Sequence, residues 1–264
     1  MTTAPAPTRT GYDDLGTGAP TLLLLPGWCG DRDVFDTTAA HLARSRRVLV
    51  CDLRGHGGNA HQVDDFDSVQ QVDDLVALLE ETGVDRVVPV ALSHAGWHGI
   101  ELRRRLGPER VPGLVLLDWM VLGTPPGFTD ALAGLQDADA WQDVRAALFG
   151  MWTDGVGSPA VHRYVDGMAG YGFDHWRRAG REIAASFATS GTPLEALARL
   201  DDPCPTLHLY AQPAGDDYLA AQQAEAAELS WFEVERLDAC SHFPMLEVPG
   251  AVARHVERFV ARLG

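Results

Sequence analysis

The sequence predicts an α/β protein with a mostly parallel central sheet flanked by helices and a helical segment inserted between two strands. Short apolar runs alternate with helical patterns, which is typical of strands buried on both faces and of their crossover helices. One of these runs, at residues 87–92, leads directly into a serine flanked by small residues. Strand patterns are then absent from residues 120–202, where helical periodicity dominates.

Ser93 stands between the predicted buried strand and a predicted helix. Ala91 and Ala95 lie two residues to either side of it and Gly96 follows, which is the G-x-S-x-G pattern of a nucleophile elbow with alanine at the two small positions. Small residues are needed because strand and helix pack closely across a strained turn. The pattern predicts that the turn lifts the Ser93 hydroxyl above the sheet, and this fragment alone leaves an ordinary strand-to-helix turn as the alternative.

The chain ahead of the elbow supplies the first strands of the sheet. Residues 1–20 are rich in Thr, Pro, Gly and Ala and predict a tail with at most an edge strand. The apolar runs at residues 21–25 and 48–52 predict strands buried on both faces. Asp31 or Asp33 is expected to cap the helix between them.

Glycine-containing loops follow both of these buried strands. The loop at residues 26–30 lies between a strand and a helix, and such a loop points backbone N–H groups at whatever lies above the sheet. We therefore expect Trp28 to supply an N–H donor to an anion there. His56, in the second loop, is expected to make a structural hydrogen bond, and a capping box at Ser68 predicts the start of the next helix.

An acid and a histidine follow two later strands. The run at residues 115–119 carries Asp118 near its carboxyl end, where ligands bind in open α/β sheets, although the acid could simply cap a loop. Residues 206–210 and 231–237 predict the last two strands. His242 lies in the loop after the final strand, where the order Ser, acid, His places the base of a catalytic triad.

These elements divide the chain into a core of residues 1–119 and 203–264 and a helical cap of residues 120–202. A capping box at Thr192, with proline at the first helical position, is a clear helix start in the cap. The cap is rich in aromatic residues. Most of these rings are expected to form the cap's own core and a minority to line a pocket.

Composition limits the partners and the location of the protein. The net charge of -16 argues against a nucleic-acid or anionic-membrane partner, because phosphates would be repelled. The four cysteines are scattered without a C-x-x-C pair and predict reduced thiols in a cytoplasm. Residues 1–20 lack the apolar run of a signal peptide, and no run approaches transmembrane length. We expect a cytoplasmic monomer or small homo-oligomer.

Taken together, the elbow, the loop after the first buried strand, the inserted cap and the late histidine predict an α/β-hydrolase fold. The residue order alone predicts a Ser93 nucleophile, a His242 base and an acid. The identity of the acid stays open at this point. Hydrolases often place it after the penultimate strand, where Asp216 and Asp217 lie, and Asp118 is one strand earlier.

Five segments resemble the cofactor-free 3-hydroxy-4-oxoquinoline and quinaldine 2,4-dioxygenases, and the resemblance covers nearly the whole chain. They are residues 23–29, 93–97, 117–119, 171–176 and 242–244, with shorter similarities at residues 107–110 and 212–213. The elbow and the histidine loop are general features of the fold. The Asp-Trp pair at residues 118–119, the histidine after the serine and the cap segment are more specific.

The resemblance implies a reaction without a metal or an organic cofactor. His242, paired with Asp118, would remove the proton of the substrate's 3-hydroxyl, and the resulting anion would react directly with O2. A peroxide would close onto the ring, carbon monoxide would leave and an N-acyl anthranilate would result. The implied partners are therefore a small aromatic molecule and O2.

The resemblance also implies roles around this base. Ser93 would orient the substrate without forming an acyl-enzyme, the backbone N–H groups of Trp28 and His94 would bind the oxyanion, and Trp152 would shape the pocket. One position departs from the family pattern, which has a histidine where this chain has Gly30. The glycine predicts the loss of a polar group and additional room for a longer 2-alkyl chain, as in the alkylquinolone quorum signals.

Two other functions fit parts of the sequence. A serine hydrolase (esterase, amidase or lactonase) would use Ser93 covalently, and a small-molecule receptor would use the fold without catalysis. The complete set of Ser, His and acid disfavours a receptor, and the Asp-Trp pair with the cap segment favours the dioxygenase over the hydrolase. No G-x-G-x-x-G motif follows a strand, and His94 and His98, four residues apart, predict packing on one helix face and no metal site.

Overall fold

The computed structural model describes residues 11–60 and 65–264 of the chain. Within these ranges seven strands form one sheet in the order β1-β3-β2-β4-β5-β6-β7, in which β1 pairs antiparallel with β3 and all other pairs are parallel. The strands are β1 (Tyr12–Leu15), β2 (Thr21–Leu25), β3 (Val48–Cys51), β4 (Val87–Leu92), β5 (Leu114–Leu117), β6 (Thr206–Tyr210) and β7 (Phe232–Arg236). The predicted α/β fold with a mostly parallel sheet is confirmed.

The strands follow the apolar runs closely. Every residue of β2, β3, β4, β5 and β6 is buried, as expected for strands covered by helices on both faces. The edge strand β1 pairs Tyr12 with Cys51, and residues 1–10 of the expected tail lie outside the described residues. The predicted strand at residues 115–119 ends earlier, at Leu117, because Asp118 has a φ of 44° and leaves the extended conformation.

Helices connect the strands and cover both faces of the sheet. They are α1 (Asp36–Leu42), α2 (Ser68–Glu81), α3 (Ala95–Arg110), α4 (Phe128–Gly134), α5 (Trp141–Thr153), α6 (Pro159–Met168), α7 (Phe173–Ser190), α8 (Pro193–Ala198), α9 (Asp216–Glu228), α10 (Pro244–Glu247) and α11 (Pro249–Val260). Helices α4–α8 lie within residues 120–202, all of which are described and none of which is in a strand. In the described ranges, none of the helices combines the length and apolar character needed to span a bilayer.

The capping residues at the starts of three helices can be compared with those predicted from the sequence. The capping box of α2 is formed by Asp67 and Gln70, so the prediction of Ser68 as the capping residue is wrong: Ser68 is already the first residue of the helix. The Ser68 hydroxyl and N–H instead donate to Glu182 of α7, at 3.1 and 2.9 Å. The predicted box at Thr192 is confirmed. Asp31 caps a short 3-10 helix that precedes α1, where one continuous helix was expected.

The cap and the sheet share one apolar core. Cap residues Val161 and Trp176 belong to the same buried cluster as Leu22, Leu24 and Val88 of the sheet. A second cluster fills the opposite face, around Leu75 and Leu79 of α2 and Leu49 of β3. Helices α6 and α7 of the cap therefore pack on the sheet side that carries α1 and α11, whereas Leu194 and Leu197 of α8 belong to a third cluster with Leu114 and Leu116 of β5.

The elbow helix approaches the sheet closely at Gly96. A Cβ built on Gly96 would overlap the ring of Trp119, which in turn packs edge to face on Trp97 with ring centroids 5.0 Å apart. This contact explains why the elbow needs a small residue three positions after Ser93. It also gives the Asp-Trp pair a packing role, because the Trp119 ring fixes the spacing between α3 and the loop after β5.

We predict that Gly96→Ala destabilises the fold by roughly 1–3 kcal/mol, the usual cost of overpacking a core. Gly150→Ala is the matched control, since Gly150 is exposed in helix α5 and its Cβ would meet nothing within 4 Å. The control should be stabilising by about 0.5–1 kcal/mol, the helix-propensity gain of alanine over glycine. Urea unfolding measures both, and equal effects of the two substitutions would contradict the close packing.

Candidate active site

Three sharp turns lie at one edge of the sheet. Among the described residues, Cys29, Ser93 and Asp118 are the non-glycine residues with positive φ, at 55°, 52° and 44°. They follow β2, β4 and β5, which are neighbours in the sheet, so the three turns share its carboxyl edge. Such conformations cost roughly 1–3 kcal/mol each and persist where the surroundings fix them. The Ser93 and Asp118 N–H groups donate to strand carbonyls, each at 2.8 Å.

Asp118 and His242 form a buried pair. His242 Nδ1 lies 2.7 Å from Asp118 Oδ2, and the Asp118 side chain is only 2% exposed. The other carboxylate oxygen, Oδ1, accepts from the backbone N–H groups of Ala211 and Gln212 at 2.6 and 2.9 Å. Because a carboxylate accepts, Nδ1–H of His242 donates this hydrogen bond, and Nε2 is the ring nitrogen that Asp118 does not contact.

The other candidate acids lie away from this pair. Asp216 and Asp217 are exposed in the first turn of α9, and Asp216 pairs with Arg236 at 2.8 Å. Of the acids left open by the residue order, the structure thus brings Asp118 to His242 and leaves the other two at the surface.

A cap side chain covers the histidine. The ring of Trp152, in α5, stacks on the His242 ring with centroids 5.0 Å apart and an interplanar angle of 18°. The neighbouring backbone is fixed by the Gln212 side-chain amide, which donates to Met151 O at 3.1 Å and to Cys240 O at 2.8 Å. One residue therefore joins the acid, the cap helix and the loop that carries His242.

Ser93 and two backbone N–H groups face the same edge. Within residues 11–60 and 65–264, no hydrogen bond is formed by the hydroxyl of Ser93 or by the backbone N–H groups of Trp28 and His94. Ser93 is partly exposed, and a Cβ on Gly27 would lie 3.8 Å from the Ser93 Cβ, so the loop of Trp28 adjoins the elbow. These three groups are free to bind the oxygen atoms of a ligand.

The Trp28 indole is held from both sides. Its ring stacks on Phe66 with centroids 5.9 Å apart at 4°, and the edge of His56 packs on it at 5.3 Å. The guanidinium of Arg178 lies 4.3 Å from the Phe66 ring, which extends the stack. His56 Nδ1 is 2.8 Å from Arg54 O, so the predicted structural hydrogen bond is confirmed.

The His94 side chain lies in the protein interior beside this stack. Its ring packs edge to face on His98, with centroids 6.0 Å apart at 90°, as expected for packing on one helix face. Burial lowers the pKa of His94 well below its ordinary value and that of His98 to about 4, so both rings are neutral near pH 7. In the described part of the chain, no group of three or more His, Cys, Asp or Glu residues is arranged to hold a metal ion.

The alpha/beta hydrolase family model matches residues 22–255. The chain is 40% identical to the 2-heptyl-3-hydroxy-4-quinolone dioxygenase of Rhodococcus erythropolis, over 90% of this chain and 85% of the relative. It is 35% identical to the 1H-3-hydroxy-4-oxoquinoline 2,4-dioxygenase of Pseudomonas putida, over 92% of each. The chain belongs to this family of 3-hydroxy-4-quinolone dioxygenases.

A solved structure agrees with this assignment. It is the structure of a protein that recognises the Pseudomonas quinolone signal and cleaves its ring, in complex with the product. It matches this dioxygenase-family chain with a TM-score of 0.91. The identity is 34%, and 96% of each chain is covered. The resemblance stated from the sequence segments is therefore confirmed at the level of family and fold.

One polar residue of this family member was missed by the sequence analysis. His208 lies fully buried in β6, where its Nε2 accepts from the Trp119 N–H at 3.3 Å and its Nδ1 donates to Gln222 Oε1 at 2.5 Å. It holds the backbone directly after Asp118. A histidine inside an apolar strand was the available signal, but only the pairing of β5 with β6 shows what it contacts.

The expectation of additional room at Gly30 is wrong. A Cβ on Gly30 would overlap the hydroxyl of Tyr164, a cap residue in α6. The space left by the glycine is thus filled, and it is filled by a polar group. The sequence could not reveal this contact, because the two residues are far apart along the dioxygenase chain.

The buried histidines predict a pH dependence of stability. Burial lowers the pKa of four of them, to about 3 for His56, to about 4 for His98 and His208, and well below 6.5 for His94. The unfolded chain, with histidine pKa values near ~6.5, binds more protons below that pH, so stability is lost as the pH falls from about 6.5 towards 4. Each histidine contributes about 1.4 kcal/mol per pH unit in this window.

Urea unfolding between pH 7.5 and 5 measures this slope. The stability should fall steeply below pH 6.5, and a midpoint that stays constant from pH 7 to pH 5 would contradict the four neutral, buried rings. His162→Gln is the control, since His162 is an exposed histidine on α6, and it should leave the slope unchanged.

Proposed function

We propose that this chain is a cofactor-independent dioxygenase, an oxidoreductase that cleaves the heteroaromatic ring of 2-alkyl-3-hydroxy-4(1H)-quinolones with O2. The products are carbon monoxide and an N-acyl anthranilate. The observation that carries the proposal is the Asp118–His242 pair, 2.7 Å apart beneath the ring of Trp152. The names of the relatives support the substrate class, and the 2-heptyl compound is the first substrate to test.

The first step is removal of a proton by His242. Its Nε2 takes the proton of the 3-hydroxyl, and the Asp118 carboxylate stabilises the imidazolium formed. A positioned general base of this kind is worth roughly 10²–10⁴ in rate. The ring of Trp152 on one side and the buried Asp118 on the other hold the imidazole in one orientation.

The second requirement is stabilisation of the organic anion. The free N–H groups of Trp28 and His94 bind the oxygen that carries its charge, and the Ser93 hydroxyl makes a hydrogen bond to the substrate. In a site from which water is excluded, fixed donors stabilise developing charge more effectively than water does. The aromatic cap residue Trp152 supplies apolar surface for the bicyclic ring.

The anion then reacts with O2. One oxygen atom bonds to ring carbon C2, the other closes onto C4, and cleavage of the two ring bonds to C3 and of the O–O bond releases C3 as carbon monoxide. The proton held on His242 returns to the product or to solvent. Both atoms of O2 thus stay in the N-acyl anthranilate, and the oxygen of carbon monoxide comes from the 3-hydroxyl.

The proposal also assigns roles to the two parts of the chain, an oligomeric state and a cellular location. The core of residues 1–119 and 203–264 carries the base, the acid and the donors, and the cap of residues 120–202 covers them. The protein acts in the cytoplasm as a monomer or small homo-oligomer, without nucleic acid or membrane, as its net charge of -16 and scattered cysteines support. Degradation of an alkylquinolone signal would quench quorum sensing.

Incubation with 2-heptyl-3-hydroxy-4(1H)-quinolone under ¹⁸O2 tests this function. The product should gain two heavy oxygen atoms, and one unlabelled carbon monoxide should form per O2 consumed. Turnover should persist after dialysis against a chelator and without added flavin. A quinolone that is not consumed, together with ester hydrolysis through an acyl-Ser93 intermediate, would replace the proposal by a serine hydrolase.

We predict that Asp118→Ala lowers kcat by about 10²–10⁴-fold, because His242 loses its partner. Asp118→Asn should be similarly damaging: its amide oxygen can still accept from Ala211 and Gln212, but its NH2 group then faces His242 Nδ1 and favours the tautomer in which Nε2 carries the proton. Asp217→Ala is the matched control, as Asp217 is exposed on α9 and should change kcat by less than about twofold. Greater damage from Asp217→Ala than from Asp118→Ala would indicate a conventional hydrolase triad.

A further inference from the structure

The Tyr164 hydroxyl occupies the volume that a side chain at position 30 would take. A Cβ on Gly30 would overlap that hydroxyl and would lie 3.4 Å from the next ring atom, Cζ. The same hydroxyl accepts from the Asp31 N–H at 3.0 Å and donates to the Asp31 carbonyl at 3.1 Å. One side chain of the cap thus holds both backbone groups of the residue after Gly30.

The two hydrogen bonds to Asp31 hold the backbone of a loop that contains an unfavourable conformation. The donor loop, residues 27–32, contains Cys29 at a φ of 55°, an unfavourable conformation for a residue with a side chain. Its start is closed by the Gly30 N–H, which donates to Gly27 O at 3.3 Å, and its end by the Arg32 N–H, which donates to Asp52 at 2.9 Å. Between these two points, the backbone of Asp31 is held by Tyr164.

Tyr164 also reaches the other side of the site. Its ring packs edge to face on Phe243, the residue after His242, with centroids 5.2 Å apart. Burial, together with the nearby Asp31 carboxyl, raises the pKa of Tyr164 well above its usual value, so the hydroxyl keeps the proton that it donates. The residue therefore contacts the donor loop through its hydroxyl and the segment of the base through its ring.

We propose that Tyr164 is a positioning residue that fixes the Trp28 N–H for binding of the substrate anion, and that Gly30 is required because it makes room for the Tyr164 hydroxyl. The inference rests on the proposed function for the identity of the anion. The link is short, because Trp28, Cys29, Gly30 and Asp31 are consecutive.

Four variants separate this role from general packing of the cap. Tyr164→Phe removes the hydroxyl and keeps the ring on Phe243, Gly30→Ala introduces the overlap, and the double variant removes the overlap again. Tyr171→Phe is the matched control. The Tyr171 hydroxyl accepts from the Gly57 N–H at 2.8 Å, so the control removes the same kind of bond between cap and core at a different loop.

Kinetics and the ionisation of bound substrate are the functional measurements. Tyr164→Phe should lower kcat about tenfold, less than the ~10²–10³ expected for complete loss of an oxyanion donor. Under argon, the absorbance of the bound quinolone should show that the pKa of its 3-hydroxyl rises by about one unit, a tenfold change in ionisation. Tyr171→Phe should change neither quantity, and an unchanged substrate pKa in Tyr164→Phe would overturn the proposal.

The double variant tests the pairing with Gly30. Gly30→Ala alone should be more damaging than Tyr164→Phe, and Gly30→Ala/Tyr164→Phe should recover to the level of Tyr164→Phe. A double variant as impaired as the product of the two single effects would overturn the steric part of the proposal.

A measurement without substrate keeps this inference separate from the proposed function. In protein labelled with ¹⁵N-tryptophan, the backbone amide resonance of Trp28 should move in Tyr164→Phe and stay in place in Tyr171→Phe. An unmoved Trp28 resonance would overturn the positioning role whatever the kinetics show. If the wild-type protein fails to consume the quinolone, the proposed function fails, while this resonance still decides the role of Tyr164.

Discussion

The candidate site depends on the hydrogen bonds of the buried Asp118 carboxylate. Its two oxygens accept from Ala211 and Gln212 of the loop after β6 and from His242 of the loop before α10. Burying a carboxylate is unfavourable unless donors surround it, and here those donors come from the two segments that must be brought together. Gln212 extends the connection to the cap through Met151 O. Acid, base and cap are thereby positioned by one small network.

In the proposed function, the site holds an organic anion inside a protein with a net charge of -16. His94 and His98 cannot supply positive charge at neutral pH, because burial lowers the pKa of both rings. The donors proposed for the anion are the backbone N–H groups of Trp28 and His94, which make no hydrogen bond within the described residues and lie next to two strained turns. Surface charges farther than about 8–10 Å are largely screened at physiological ionic strength, so the net charge of -16 leaves this local stabilisation intact. Fixed dipoles and one general base suit the proposed reaction, in which no bound cofactor takes part.

Sequence reasoning reached the features that depend on local pattern or on chain order. Apolar runs gave the buried strands, small residues around Ser93 gave the elbow, and the order of residues brought Asp118 and His242 forward as candidates. It missed features that depend on tertiary packing. His208 acquires a role only through the pairing of β5 with β6, and Gly30 was misinterpreted because Tyr164, far along the chain, fills its space. The capping box begins one residue earlier than expected, at Asp67, and Ser68 binds Glu182 of the cap, a contact between residues far apart along the chain.

The central claim is that His242 acts as a base on the substrate and that Ser93 only orients it. The most direct measurement compares kcat of His242→Ala and Ser93→Ala on the same 3-hydroxy-4-quinolone at saturating O2. The account predicts a loss of about 10²–10⁴-fold for His242→Ala and substantial remaining turnover for Ser93→Ala. In acyl transfer the serine and the histidine act as one unit, so the two substitutions are about equally damaging. Equal loss in both variants, or a trapped acyl-Ser93, would contradict the account.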